Sequence, residues 1–279
     1  MRILLALGLS LACNGCAWLD TQQRLLIYRP TASKISAQDA LQSGDRHYFV
    51  DLPAATPAQR LAFWWMPQTQ PQAPTLLYFH GTFRNLEGNL RKMEALRSAG
   101  FSVLGVDYRG WGESSPLVPS EKSILQDAQV AWAELQKLQP MAHQRFIYGH
   151  SMGSGVAVSL ASRLPAKDYA GLVLESAFTS FSDVAHEAGW LARVFDLFNP
   201  EQFDSLSKIG RVHAPLLMLH GDQDTTIPMV LGQRLYAAAF QPKQWVTIEG
   251  AAHSDLDQVN PDRYRAALQE FSAHYSSSR

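Results

Sequence analysis

The pentapeptide Gly149-His150-Ser151-Met152-Gly153 has the form G-x-S-x-G and stands between an apolar run, Arg145-Phe146-Ile147-Tyr148, and a helix-like stretch from Gly155 to Arg163. It reads as a nucleophile elbow: a serine on a tight strand-to-helix turn, flanking glycines that let the backbone pass, and a helix N-terminus that favours negative charge. A serine hydroxyl becomes a useful nucleophile when a neutral histidine takes its proton and a carboxylate fixes that histidine's tautomer. Downstream, the strand-like Pro215-Leu216-Leu217-Met218-Leu219 opens into His220-Gly221-Asp222-Gln223-Asp224-Thr225-Thr226-Ile227-Pro228, which offers two acids, Asp222 and Asp224. Trp245-Val246-Thr247-Ile248 leads into a small-residue loop, Glu249 to Asp255, that presents His253, the expected base. Each candidate follows a strand end, which is where an open parallel sheet carries its site.

The elements that must position these groups can be read from periodicity. Thr75 to His80 and Phe101 to Asp107 are continuous apolar runs of the kind buried on both faces of a parallel sheet, with a helix expected from Leu86 to Ala99 between them. Ser123 to Leu138 carries apolar residues at helical spacing, and Leu172-Val173-Leu174 reads as the strand after the elbow. Ahead of these, His47-Tyr48-Phe49-Val50 and Leu61-Ala62-Phe63-Trp64-Trp65, joined through a turn region from Pro53 to Pro57, are expected to form an antiparallel edge. Strands alternating with helices define an α/β fold with a mostly parallel central sheet and helices on both faces. An insertion between Phe178 and Val212 is rich in Trp190, Leu191, Val194, Phe195, Leu197, Phe198 and Phe203. It is expected to be a lid lining an acyl pocket, the other reading being an amphipathic helix packed on the sheet edge.

The chain resembles the alpha/beta hydrolases of the serine-esterase type over nearly everything after its first thirty or so residues. Beyond the elbow, Phe79-His80-Gly81-Thr82 resembles that family's oxyanion loop, and Asp107-Tyr108-Arg109-Gly110-Trp111-Gly112-Glu113-Ser114 resembles its D-x-R-G-x-G-x-S stretch. Within the superfamily the likeness is to membrane-associated hydrolases that include protein depalmitoylases. The resemblance implies the chain order Ser, acid, His, with Ser151 as nucleophile, Asp224 as acid and His253 as base. Asp224 matches the pattern H-G-x-x-D-x-x-[VI]-P, which leaves Asp222 to satisfy nearby backbone N–H groups. The oxyanion hole implied is the backbone N–H of Met152 and that of Thr82. Where relatives carry small residues after His-Gly, this loop reads Thr82-Phe83-Arg84-Asn85, and the bulk bears on the shape of the acyl pocket.

Other chemistries find little support. His150 is expected to pack or bond locally, and His80 and His220, each ending a strand before glycine, to hold turns. The remaining histidines lack the pairing or the clustered Cys and Asp spacing that zinc needs, and no phosphate-binding glycine loop is present, so no metal and no cofactor is expected. A formal net charge of -1 with dispersed Lys and Arg provides no basic stripe for nucleic acid. The 279 residues, 46% of them hydrophobic, suffice for one large buried sheet. The Ser276-Ser277-Ser278 tail is expected to fray.

The N-terminus differs in kind. Met1-Arg2 precedes an apolar run from Ile3 to Ala12, too short to span a bilayer comfortably, and both cysteines of the chain, Cys13 and Cys16, stand at its end. The arrangement resembles a bacterial lipoprotein signal, with Cys16, preceded by Gly15, as the expected lipidation site and Cys13 as the other candidate. A plain signal peptide, an uncleaved anchor and a C-x-x-C redox pair are the alternatives. The expected organisation is a signal peptide over 1–15, a tether over 16–34 and a hydrolase domain over 35–279 with its lid region at 178–212. The location implied is the bacterial cell envelope, the protein facing the periplasm and held to a membrane through a lipid anchor.

The reaction implied is acyl transfer to water on a carboxylic ester or thioester, with an acyl or lipid-type substrate expected from location and lid composition. Esterases, lipases, thioesterases and some peptidases share this machinery, so a serine peptidase of the same fold is the second reading. A non-catalytic envelope-binding lipoprotein is the third.

Overall fold

The computed structural model describes residues 18–52, 57–197 and 199–276. The expected signal peptide and both Cys13 and Cys16 lie outside these residues, as does the tail beyond Ser276. Eight strands form a single sheet in the order β1-β2-β4-β3-β5-β6-β7-β8: β1 (Arg46–Leu52), β2 (Gln59–Met66), β3 (Thr75–Phe79), β4 (Ser102–Asp107), β5 (Arg145–His150), β6 (Gly171–Glu175), β7 (Leu216–Gly221) and β8 (Lys243–Ile248). β2 runs antiparallel to both its neighbours, and every pairing from β4 to β8 is parallel. The early strands therefore form the antiparallel edge their spacing predicts, in the register His47 to Trp64 and Val50 to Leu61. β3 to β7 are buried along their whole length, which explains why they read as unbroken apolar runs rather than as alternating ones.

The helices complete an alpha/beta-hydrolase fold. In chain order they are α1 over residues 18–28, α2 (Ala37–Ala40), α3 (Leu86–Ser98), α4 (Glu121–Leu138), α5 (Met152–Ala161), α6 (Phe181–Ala188), α7 (Trp190–Asp196), α8 (Leu206–Ile209), α9 (Met229–Ala238), α10 (Leu256–Val259) and α11 (Pro261–Tyr275). On one sheet face, Ile124, Trp132 and Leu135 of α4 pack with Val156 and Leu160 of α5 and Leu231 of α9. On the other, Met93 and Leu96 of α3 meet Leu268 and Phe271 of α11. Local chemistry sets the starts: Asn85 accepts from the Gly88 N–H, Ser120 and Ser123 form a reciprocal capping box, and Asn260 caps α11 ahead of Pro261. Chain order reverses at β3, flanked by β4 and β5, so the loops after β3 and β5 face each other across the topological switch point.

The N-terminal stretch is part of this body. Tyr28, at the end of α1, is fully buried, donates its hydroxyl to Glu201 and sets its ring edge-on against Trp111 and Phe203. Ala32 then forms a parallel bridge with Gly112. In the insertion, Phe203 is buried against Phe181, whereas α7 holds Trp190, Leu191 and Val194 exposed. No helix among the described residues is long and apolar enough to cross a membrane.

Candidate active site

Ser151 leaves β5 with φ 55° and ψ -125°, a left-handed conformation that serine rarely adopts, and its next residue begins α5. Only glycine allows the chain to fold this tightly: a Cβ on Gly149 would stand 2.2 Å from the Gly153 carbonyl oxygen, and one on Gly153 would stand 2.1 Å from the Phe79 carbonyl oxygen. The two glycines therefore set how close β5, α5 and β3 can approach, and the serine is lifted to the carboxyl end of the sheet.

The loop after β8 brings His253 to this serine, with Nε2 2.9 Å from Oγ, and Nδ1 lies 2.8 Å from Oδ2 of Asp224 in the loop after β7. A carboxylate only accepts, so the neutral imidazole carries its proton on Nδ1 and directs the Nε2 lone pair at the serine hydroxyl. The other Asp224 oxygen accepts from the Thr226 and Ile227 N–H groups at 2.9 and 2.8 Å. Burial by itself raises the Asp224 carboxyl, but the hydrogen bonds from His220, His253 and the Ile227 N–H outweigh it and hold it well below the usual carboxylate range. Asp222 is exposed and accepts from the Gly250 N–H at 2.7 Å, pinning the loop that carries His253. Of the two acids left open by composition, the structure brings Asp224 to the imidazole.

The D-x-R-G-x-G-x-S stretch proves to be scaffolding for the loop after β3. The Trp111 indole N–H donates to the Thr82 carbonyl at 2.7 Å, and the Tyr108 hydroxyl donates to the His80 carbonyl at 3.2 Å. Asp107 accepts from the Leu86 N–H, burial pushes its carboxyl up to about 8, and Ser114 bonds the Asp107 carbonyl while accepting from the Ala62 N–H. Arg109 pairs with the buried Asp127 at 2.7 Å. Thr82 and Met152, whose N–H groups were expected to form an oxyanion hole, both line the cavity that holds Ser151. Trp111 as the fixture of Thr82 was not legible beforehand, because its contact depends on two loops far apart in sequence.

Beneath His253 lies a second group of residues missed in the sequence. Lys92 on α3 contacts Glu175 at 2.5 Å and Asp257 at 2.6 Å, while Glu175 also accepts from Tyr148 and Tyr264. Arg91 pairs with Asp257 and donates to the Ser254 carbonyl. Burial opposes ionisation of Glu175, but the Lys92 charge and hydrogen bonds hold it down at about 2. His150, pulled down to about 4 by burial and therefore neutral, donates to the His253 carbonyl at 3.0 Å, and Ser176 donates to the same oxygen at 3.1 Å. The polar residue Glu175 closing an apolar strand was the available signal, but only the fold shows its partner 83 positions away.

Lys92→Met leaves Glu175 and Asp257 buried without their shared cation, and the expected loss is about 3–5 kcal/mol, measured by urea unfolding; a loss under about 1 kcal/mol would show the charges to be dispensable. The pH dependence carries a sign as well. Because the folded-state value of Glu175 is depressed, its contribution is fully present above about 4.5, its ordinary value, and drains away as pH falls toward about 2. The variant should lose less stability than the parent across that interval.

Two cavities meet at Ser151. One, of about 820 Å³, is walled by Leu26 and Ile27 of α1, by Phe178, Phe181 and Val184, and by Met152 at the elbow. The other, of about 220 Å³, is lined by Thr82, Arg84, Asn89, Arg91, His150 and His253. The serine thus sits between a strongly apolar chamber and a smaller one lined mostly by polar residues, with Phe83 between them.

A protein-family model described as Serine aminopeptidase, S33, matches residues 70–206. Among solved structures, an esterase of Pyrococcus furiosus, Pf2001, superposes with a TM-score of 0.70 at 20% identity, over 88% of this chain and 96% of that one. The chain belongs to the alpha/beta hydrolase superfamily. It is a serine hydrolase of the esterase and lipase type. An uncharacterized protein of Mycobacterium tuberculosis, Rv2307c, is 35% identical over 90% of this chain and 87% of its own length. The lysophosphatidylserine lipase ABHD12 of Danio rerio is 34% identical over 65% of this chain and 51% of its own length.

Proposed function

We propose that the protein hydrolyses esters of single acyl chains joined to a polar group, through a Ser151, His253 and Asp224 triad and an acyl-enzyme intermediate. The observation that carries this reading is the pair of unlike cavities meeting at a histidine-bonded serine. The acyl chain occupies the apolar chamber, and the alcohol part leaves through the polar one. His253 takes the Ser151 proton as Oγ attacks the carbonyl carbon, the N–H groups of Met152 and Thr82 receive the oxyanion, and His253 returns the proton to the departing alcohol. Water then attacks the acyl-enzyme with His253 as base, releasing the acid and restoring the serine. The name of the Danio rerio relative supports a lipid ester with a polar head group.

Hydrolysis of p-nitrophenyl esters from acetyl to palmitoyl tests the assignment, with aminoacyl p-nitroanilides beside them. A kcat/KM optimum at medium or long chains is expected. An optimum at acetyl would remove the acyl-chamber reading, and faster turnover of the anilides than of any ester would replace it with a peptidase.

Membrane attachment through lipidated Cys16, with the protein on the periplasmic side of the cell envelope, remains part of the same proposal. Its support is the sequence of the N-terminal run. Metabolic incorporation of a clickable fatty acid that is lost in Cys16→Ser and kept in Cys13→Ser is the expected outcome.

A further inference from the structure

The mouth of the apolar chamber is ringed by apolar side chains that point into water. Leu19 and Leu26 of α1 and Phe83 of the loop after β3 both line the chamber and stand more than half exposed. Val194 of α7 likewise lines the chamber at 50% exposure, and on the same two helices Trp18 is 62% exposed and Trp190 72%, with Leu197 at 76% just after α7. Single exposed apolar residues are ordinary, but soluble monomers rarely gather them into one patch around an opening. The two exposed tryptophans of α1 and α7 have rings that are apolar in body and polar at the N–H, as suits the boundary between head groups and acyl chains. Arg29 lines the chamber, lies over the Phe83 ring at 4.9 Å and is exposed, as is Arg84 beside it, so cations stand where lipid phosphates would be.

We propose that α1, the Phe83 loop and α7 together form a bilayer-docking face, which seats the chamber mouth against the membrane so that acyl substrates enter from the lipid phase. A second copy of the chain seated here would close the mouth, whereas a bilayer covers the apolar rim and supplies the chain that the chamber takes. The chain outside the described residues agrees: positions 1–17, with their apolar run from Ile3 to Ala12, join the face directly at Trp18. The arrangement is that of an amphipathic surface lying in the interface plane rather than of a spanning segment.

The inference rests on the acyl-chain reading for what enters the mouth, but docking can be measured without turnover. Full-length Ser151→Ala protein mixed with vesicles of brominated phosphatidylcholine should lose tryptophan fluorescence, and Trp190→Phe in that background should remove a distinct share of the quenching. Quenching unchanged by Trp190→Phe would mean that the N-terminus alone holds the membrane, and would overturn the proposal. So would a lipid-free dimer in sedimentation that Trp190→Ser/Leu191→Ser/Leu197→Ser dissociates. In active protein that triple substitution, which touches none of the chamber lining, should leave turnover of soluble p-nitrophenyl butyrate unchanged while weakening vesicle partitioning by about tenfold or more. Equal loss on soluble and vesicle-borne esters would also overturn it.

Discussion

Ser151→Ala should abolish ester hydrolysis, with kcat falling by about 10⁴ to 10⁶ while the fold is retained. The Oγ is the group that His253 Nε2 approaches at 2.9 Å, and Ser151 stands at the junction of the two cavities. Alanine keeps the Cβ, so the backbone at φ 55° need not change. Circular dichroism and thermal unfolding should match the parent. A fluorophosphonate probe should label the parent and leave the variant unmarked. Equal labelling of both proteins would place the nucleophile elsewhere.

The second large effect is expected at the acid. In Asp224→Asn the carboxamide can turn its NH₂ toward His253, which makes Nδ1 an acceptor and moves the proton to Nε2, where it faces the serine instead of taking from it. The loss expected is about 10⁴ in kcat, with KM little changed, because the group acts on the tautomer rather than on substrate. Asp222→Asn retains an oxygen for the Gly250 N–H and should stay within about tenfold of the parent. The two variants differ by a displacement of two positions in one loop, so the comparison isolates which carboxylate reaches the imidazole. Losses in the opposite order would transfer the role to Asp222.

The parts of the site that were legible in sequence are those whose chemistry fixes their local surroundings. An elbow serine requires glycines at both flanks because the backbones meet within van der Waals distance, and those glycines are visible as letters. The loops holding Asp224 and His253 follow apolar runs that must be buried strands. What stayed hidden depends on long-range juxtaposition. Lys92 on α3 has no local sign of its partners; its meaning comes from Glu175 and Asp257, which reach it from β6 and α10. Trp111 is buried, and its indole N–H holds the Thr82 carbonyl across two loops. Residues 18–28 carry Leu19, Leu26 and Tyr28 without any local sign of the aromatic pocket that receives them, so they read as a tether, and the structure shows a helix with a buried tyrosine. The insertion between Phe178 and Val212 is a similar case: its apolar letters were clear, but which of them turn inward, like Phe203, and which outward, like Trp190, is decided by neighbours rather than by spacing.

The burial of Tyr28 ties the N-terminal helix to the site. The helix that ends in this ring supplies Leu26 and Ile27 to the chamber wall, and the ring itself is locked against Trp111, the residue that fixes Thr82 beside the nucleophile. The end of α1 is thus joined, through one edge-on ring contact and one hydrogen bond, to the loop that lines the chamber beside Ser151. The N-terminal segment is less a leash on a finished enzyme than one of its walls, and a hydrolase beginning at residue 35 would keep every reacting group while opening the chamber to water on one side.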